Sequence, residues 1–388
     1  MLIEYIGPGM AKSNYIQPLD GLRAIAVILV LIWHWLPKDS YLNAVRTGPF
    51  GVTVFFVLSG FLITRILLEN RDEAEALAHS TSSILKNFYI RRVLRIFPAY
   101  YFTLFLVEIF HHRVNLPFPR QELLANLSYT SNFYVFNIQS WPALTPHFWS
   151  LAVEEQFYLV WPLAMLFIPK KFLLHLIGLF IGIGIISQFL ASDPEFSYVL
   201  PQTCLDALGL GGLLAWIMVF KAHWLKKTYQ VMSIAALAGL LIMILDWCGW
   251  QFYHQWRLLY SVFGCWMICY ILIHQHQRTP ILWVLNNPLL IRVGKVSYGM
   301  YLYHVLYFYL LWYQTMGWFH RLIPFIPDNY YPYLFFAIHI CVLYCCCWLS
   351  WTFMEKPILN LKRLFTYQHK FSTNQKLPLP VEGAGSRT

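Results

Sequence analysis

Runs of about 20 mostly apolar residues, separated by short polar segments, follow one another from Leu19 to Phe353, and a run of that length crosses a hydrocarbon core as a helix. The pattern predicts ten spans, near 19–37, 50–68, 97–111, 147–168, 172–190, 202–220, 229–248, 257–274, 297–318 and 331–353, the third being short, with an earlier start within the basic segment left open. The expected fold class is an all-α integral membrane bundle of about ten transmembrane helices. The domain expectation is one transmembrane domain over 1–366, followed by a disordered cytoplasmic tail over 367–388.

The polar segments orient the bundle. With the N-terminus cytoplasmic, the inner segments collect Lys12, Arg65, Arg71, Arg91, Arg92, Arg95, Lys170, Lys171, Lys226 and Lys227, among others. The outer segments hold only Lys38, Arg46, Arg113, Arg120, Arg257 and Arg321. That asymmetry places both termini in the cytoplasm. The first apolar run carries Arg23 and His34 and lacks a small-residue cleavage site, so it reads as a retained span. The longest outer segment, 112–146, is rich in Pro, Asn and aromatics, a composition that suits a binding or lid loop. Its Tyr129, Phe133, Tyr134 and Trp141 are candidate sugar-stacking platforms.

Composition narrows the class. Of the 388 residues 58% are hydrophobic and only 12% charged, against roughly 25% charged in a soluble domain. The net charge of +10 therefore reflects topology and membrane lipids, not a nucleic-acid partner. The eight cysteines lie mostly within apolar runs, without a CxxC pair, so neither a disulfide framework nor a metal site is expected.

Ionisable groups inside these spans carry the chemistry, because hydrocarbon penalises them unless they line a cavity. His34 follows Arg23 by eleven residues in LDGLRAIAVILVLIWHWLP, about three turns and 16 Å along one helix face. Neutral imidazole is the usual general base near neutral pH. In NFYIRRVLRIFPAYY, Arg95 can share a face with Arg91 or Arg92. Clustered guanidiniums of that kind suit a diphosphate, although they could equally anchor a span. Pro98 is expected to start or kink a helix there.

Three further segments add candidates. HFWSLAVEEQFYLVWP sets His147, Glu154, Glu155 and Tyr158 in an apolar helix; adjacent Glu154 and Glu155 point about 100° apart, and which of them faces a site stays open. In GKVSYGMYLYH, Tyr301 and His304 are spaced to line one cavity, with Ser297 near the start of the span. Ser59-Gly60 fits close helix packing better than catalysis, since no GxSxG elbow is present. Glu355, in MEKP, could meet the arginines. A transporter or proton-coupled carrier is the rival reading of the same charges, weakened by the lack of an internal repeat.

Taken together, LDGLRAIAVILVLIWHW, FGVTVFFVLSGFLI, FYIRRVLRIFPAYY, HFWSLAVEEQFYLVWP, SYGMYLYH and MEKP, in that order over residues 17–357, resemble the acyltransferase-3 family of membrane-bound O-acyltransferases. The resemblance implies a multi-pass protein of the bacterial cytoplasmic (inner) membrane. It implies acyl-CoA as co-substrate, with no permanently bound cofactor and no metal. The acceptor implied is a hydroxyl of a cell-surface or exported glycan, such as lipopolysaccharide O-antigen or exopolysaccharide, or of a lipid-linked glycan. Arg23, His34, Glu154 and Glu155 would be catalytic. Arg91, Arg92 and Arg95, with Tyr301 and Ser297, would bind the co-substrate. Direct transfer and a transient acyl-enzyme would use the same residues. Some members append a soluble esterase-like domain; its absence here would leave transfer to the membrane domain, an oligomer or a glycan-assembly partner.

Overall fold

Pro18 opens the first helix, its missing N–H falling where the first turn has no acceptor to offer. This computed structural model describes residues 15–43, 46–76, 80–191, 193, 195–250, 256–323, 327 and 330–365, and every regular element among them is helical. The expected tail over 367–388 and Lys12 lie outside the described residues.

The helices, in order, begin with α1 (Pro18–Trp35), α2 (Thr47–Ala76) and α3 (Thr81–Phe110). The expected span 50–68 continues into polar ENRDEAEA because Arg65 and Arg71 pair one turn ahead with Glu69 and Glu75, at 2.7 and 3.0 Å. The third helix starts well before the expected residue 97. It runs straight through Arg91, Arg92 and Arg95 and keeps Pro98 in its interior, so Pro98 does not begin the helix. Inside the helix it removes one backbone hydrogen bond and sets its ring against the carbonyl of Leu94, the condition for a kink.

Segment 112–146 is not an open loop. It holds α4 (Arg120–Leu127) and α5 (Ser131–Ile138), fastened to the bundle by polar bonds. Tyr100 donates to the Asn126 carbonyl at 2.8 Å, Asn126 donates to Thr145 at 3.0 Å, and Thr145 donates to Glu122 at 2.5 Å. Glu122 is buried, and that desolvation pushes its carboxyl up to about 7, against the pull of the Thr145 hydroxyl. Tyr129 is buried too, its ring stacked 4.3 Å from Tyr100. Phe133 and Trp141 remain exposed.

Next come α6 (Phe148–Phe167), α7 (Lys170–Leu190), α8 (Leu205–Phe220), α9 (Leu225–Leu245) and α10 (Trp256–His274). After them come α11 (Pro280–Leu285), α12 (Pro288–Tyr307), α13 (Tyr313–Leu322), α14 (Tyr331–Ser350) and α15 (Lys356–Asn360). The expected span 297–318 falls within a continuous helical stretch over 288–322 that starts earlier than expected. Asn287 caps α12 by accepting from the Leu289 N–H at 2.8 Å, which fixes the start at Pro288, and a wide turn over Phe308–Trp312 separates α12 from α13.

Among the described residues, eight helical segments are long and apolar enough to cross a membrane. The helices α6 and α12 are long enough but fall outside that set, because Glu154, Glu155 and Gln156 in α6 and Arg292, Lys295 and His304 in α12 lower their apolar character. Both are interior elements. From Val296 to Tyr307 every residue of α12 except Tyr298 is buried. By contrast, α7 and α9 turn Leu179, Ile186, Ile234 and Leu237 outward, a surface that suits lipid.

Close backbone approaches set the packing around the site. A Cβ on Gly294 would stand 1.9 Å from the Asp20 carbonyl oxygen, so α12 meets α1 backbone to backbone at that level. A Cβ on Gly60 would stand 2.0 Å from the Leu208 carbonyl oxygen, which brings α2 against α8. The packing role read for Gly60 is thus what that glycine does.

Candidate active site

Five helices, α1, α2, α3, α6 and α12, converge on one cavity of about 100 Å³. Its polar lining is Arg23, Ser59, Arg92, Arg95, Ser150, Glu154, Tyr158, Ser297, Tyr298 and Tyr301. A single water needs roughly 10–15 Å³ on this measure. The space therefore takes several waters or the narrow end of a chain-like substrate, and a nucleotide would have to remain outside it.

Arg23 is set by its own helix. Its Nη1 donates to Asp20 Oδ1 at 2.7 Å, one turn earlier, and the Tyr15 hydroxyl donates to the other oxygen of that carboxylate. The same Asp20 offers its main-chain carbonyl to the Gly294 contact, so the position of Arg23 is tied to α12. Arg92 lies over the Tyr158 ring, 4.9 Å from its centroid. Arg95 lies within electrostatic range of Arg23, Arg92 and Asp20. Among the described residues the cavity thus gathers three guanidiniums against two carboxylates, Asp20 paired with Arg23 and Glu154 within electrostatic range of Arg92 and Arg95, an excess of positive charge suited to an anion.

Glu154 takes a hydroxyl partner. Ser59 donates to its Oε1 at 2.7 Å, and Tyr158 donates to Ser59 at 2.9 Å. On α12, Tyr301 shares a hydrogen bond of 2.6 Å with Ser150 and donates to the His147 carbonyl at 3.2 Å. Ser297 donates back to the Gly294 carbonyl at 2.9 Å.

His34 does not line this cavity. Its ring lies beside His304 on α12, centroids 4.9 Å apart, and His304 in turn lies 4.5 Å from His147. Tyr301, a wall of the cavity, is 5.7 Å from His304. A continuous wall therefore runs from the arginines through Tyr301 and His304 to His34. The Trp35 indole N–H donates to the His304 carbonyl at 3.2 Å and locks the two helices in register at this level.

The remaining candidates are placed elsewhere. Arg91 donates to the Phe365 carbonyl at 3.1 Å and stays off the cavity. Glu155 likewise stays off the lining and faces the Tyr100, Tyr101, Tyr129 and Tyr298 group. Glu355 accepts from Ser350 at 3.3 Å and, among the described residues, forms no ion pair with Arg95. Asp20 and the serines 59 and 150 were not foreseen as site residues. Asp20 had a legible signal, three residues before Arg23 on the same helix face; the serines had none.

The acyltransferase domain family (acyltransferase 3) matches residues 16–352. The chain belongs to that family. It is 32% identical over 323 residues to the peptidoglycan O-acetyltransferase OatA of Listeria monocytogenes, which covers 76% of this chain and 49% of that protein. It is 31% identical over 323 residues to the O-acetyltransferase OatA of Staphylococcus aureus, covering 76% of this chain and 51% of that protein. The chain thus spans about half the length of these curated relatives. No solved structure matches it.

Proposed function

We propose that the protein is a multi-pass membrane O-acyltransferase that moves an acyl group, by default acetyl, from cytoplasmic acyl-CoA to a hydroxyl of a cell-surface or exported glycan. The observation that carries this reading is the continuous wall joining the Arg23, Arg92 and Arg95 cavity to His34. In this reading α6 and α12 also cross the bilayer. They complete ten spans, with both termini and the arginine end facing the cytoplasm of a bacterial cell. The name of one relative, a peptidoglycan O-acetyltransferase, supports an acceptor of the glycan kind.

The donor's phosphates rest on Arg92 and Arg95, with Arg91 at the rim, and its pantetheine arm enters the cavity past Arg23 and Glu154. The thioester then lies at the His34 end. There the acceptor hydroxyl oxygen attacks the thioester carbon while His34 takes its proton. The carbon–sulfur bond breaks, and the CoA thiolate leaves and recovers the proton. The order of parts favours an enzyme over a carrier, since the cations gather at one mouth and the candidate base stands at the other end of the wall.

The test is His34→Ala in the full chain, expressed at normal membrane levels, with alkali-released acetate measured from the surface glycan. Transfer is expected to disappear. Acetate at the parental level would overturn the reading.

A further inference from the structure

His304 lies fully buried beside His34, and the mechanism above leaves it without a part. Its Nδ1 is 2.6 Å from the Tyr301 carbonyl oxygen. A carbonyl only accepts, so Nδ1 must carry the proton and Nε2 must be a lone pair. That Nε2 is buried and has no hydrogen-bond partner. His147 repeats the arrangement: its Nε2 lies 3.2 Å from the Leu302 carbonyl oxygen, which leaves Nδ1 as a second unpartnered acceptor. An acceptor that is neither solvated nor bonded costs roughly 1–3 kcal/mol, so a donor is expected beside it. The ring in contact with His304 on the α1 side is His34.

We propose that His304 is the positioning residue of His34: a turn of the neighbouring His34 ring, 4.9 Å away between centroids, brings its N–H to the unpartnered Nε2 in the working site, which fixes the His34 tautomer and turns the other nitrogen, as a lone pair, toward the acceptor hydroxyl. The anchoring is built for this. Trp35, next to His34 in the chain, donates to the main chain of His304 itself. Tyr301 holds the other face through its carbonyl and, by its hydroxyl, ties α12 to Ser150 and His147 on α6. The proton taken from the hydroxyl rests on His34 until the leaving CoA thiolate recovers it, and His304 accepts a hydrogen bond throughout, so no second proton carrier is needed. His147 packs behind His304 and holds it against α6.

The inference rests on the reading of His34 as the base, and its test separates the two. In the full chain, labelled with ¹⁵N-histidine and kept in detergent, the ring nitrogens of His34 are identified by their loss in His34→Gln. Wild-type His34 is expected in one neutral tautomer. His304→Asn keeps an N–H for Tyr301 but removes the acceptor at the Nε2 position; His304→Gln puts an amide oxygen there. We expect the Asn variant to show both tautomers at His34 and to lose transfer by about a hundredfold, with the donor KM unchanged. The Gln variant should keep one tautomer and transfer within about tenfold of wild type. Mixed tautomers in the wild type, or Asn and Gln variants that behave alike, would overturn it. A normal tautomer result with active His34→Ala would instead sink the catalytic reading and leave this contact standing.

Discussion

Gly294→Ala adds one methyl group far from any reacting atom and should nevertheless silence the protein. The new Cβ would meet the Asp20 carbonyl oxygen at 1.9 Å, with the carbonyl carbon at 2.6 Å. Ordinary contact begins at 3.4 Å, so the α1 and α12 backbones must separate by about 1.5 Å, the difference between 3.4 and 1.9. Neither contact atom is a flexible side chain that could swing away. Overpacking of this kind costs typically 1–3 kcal/mol, and the displacement falls on the helix pair that carries Arg23, His34 and His304. A misplacement of about 1 Å at a catalytic constellation can cost on the order of a hundredfold in rate. The assay is surface-glycan acetate from cells carrying the variant, together with the melting temperature of the detergent-purified protein. Gly178→Ala is the control. It lies on α7 with nothing within 4 Å of its added Cβ, and should be neutral or stabilised by up to about 1 kcal/mol from helix propensity. Wild-type transfer and melting in Gly294→Ala would refute the claim that this contact sets the site.

Arg95→Gln, which removes one cavity guanidinium, should raise the KM for acetyl-CoA by roughly ten- to a hundredfold in initial-rate measurements on membranes. Arg91→Gln should raise it far less, because Arg91 is committed to the Phe365 carbonyl. Glu122 predicts a pH dependence of stability. Its folded carboxyl is raised from 4.5 to about 7, so its contribution is full below pH 4.5 and is lost as pH rises through 7. At about 1.4 kcal/mol per unit the loss is on the order of 3 kcal/mol. Melting followed between pH 5 and 8 should fall in the wild type and flatten in Glu122→Gln; parallel curves would contradict this assignment.

Charges in apolar helices were the most legible part of the site. Arg23, Arg92, Arg95 and Glu154 stood out because hydrocarbon tolerates such groups only with a partner or a cavity, and all four line the same one. Sequence periodicity could not say which neighbour each would meet. Glu154 could have been given to His34 or to an arginine, and it binds Ser59, a residue indistinguishable from packing on its own helix. His304 was visible as a cavity candidate, yet its contact with His34 spans most of the chain and left no local trace. Helix limits went wrong where polar sequence still favours helix. Arg–Glu pairs prolong α2 and the basic turns of α3 precede Pro98, while hydropathy alone cuts both at the last apolar residue. The displaced start of α12 follows from a side-chain cap at Asn287, a signal present in the sequence but weaker than the apolar run beside it.

The bond from Trp35 to His304 joins residues 269 positions apart, and this has a bearing on biosynthesis. At ribosomal speeds of about 5–20 residues per second, the first helix waits on the order of 15 to 50 s for its partner to be made. During that wait Arg23 and His34 sit in a bundle whose α12 face is unfilled. Since α12 is not among the eight segments apolar enough to cross on composition alone, its polar side chains gain their partners only when it packs against the helices made before it. The half-made protein therefore lacks the α12 wall of the cavity, and the candidate site is complete only when the late helix docks against the first.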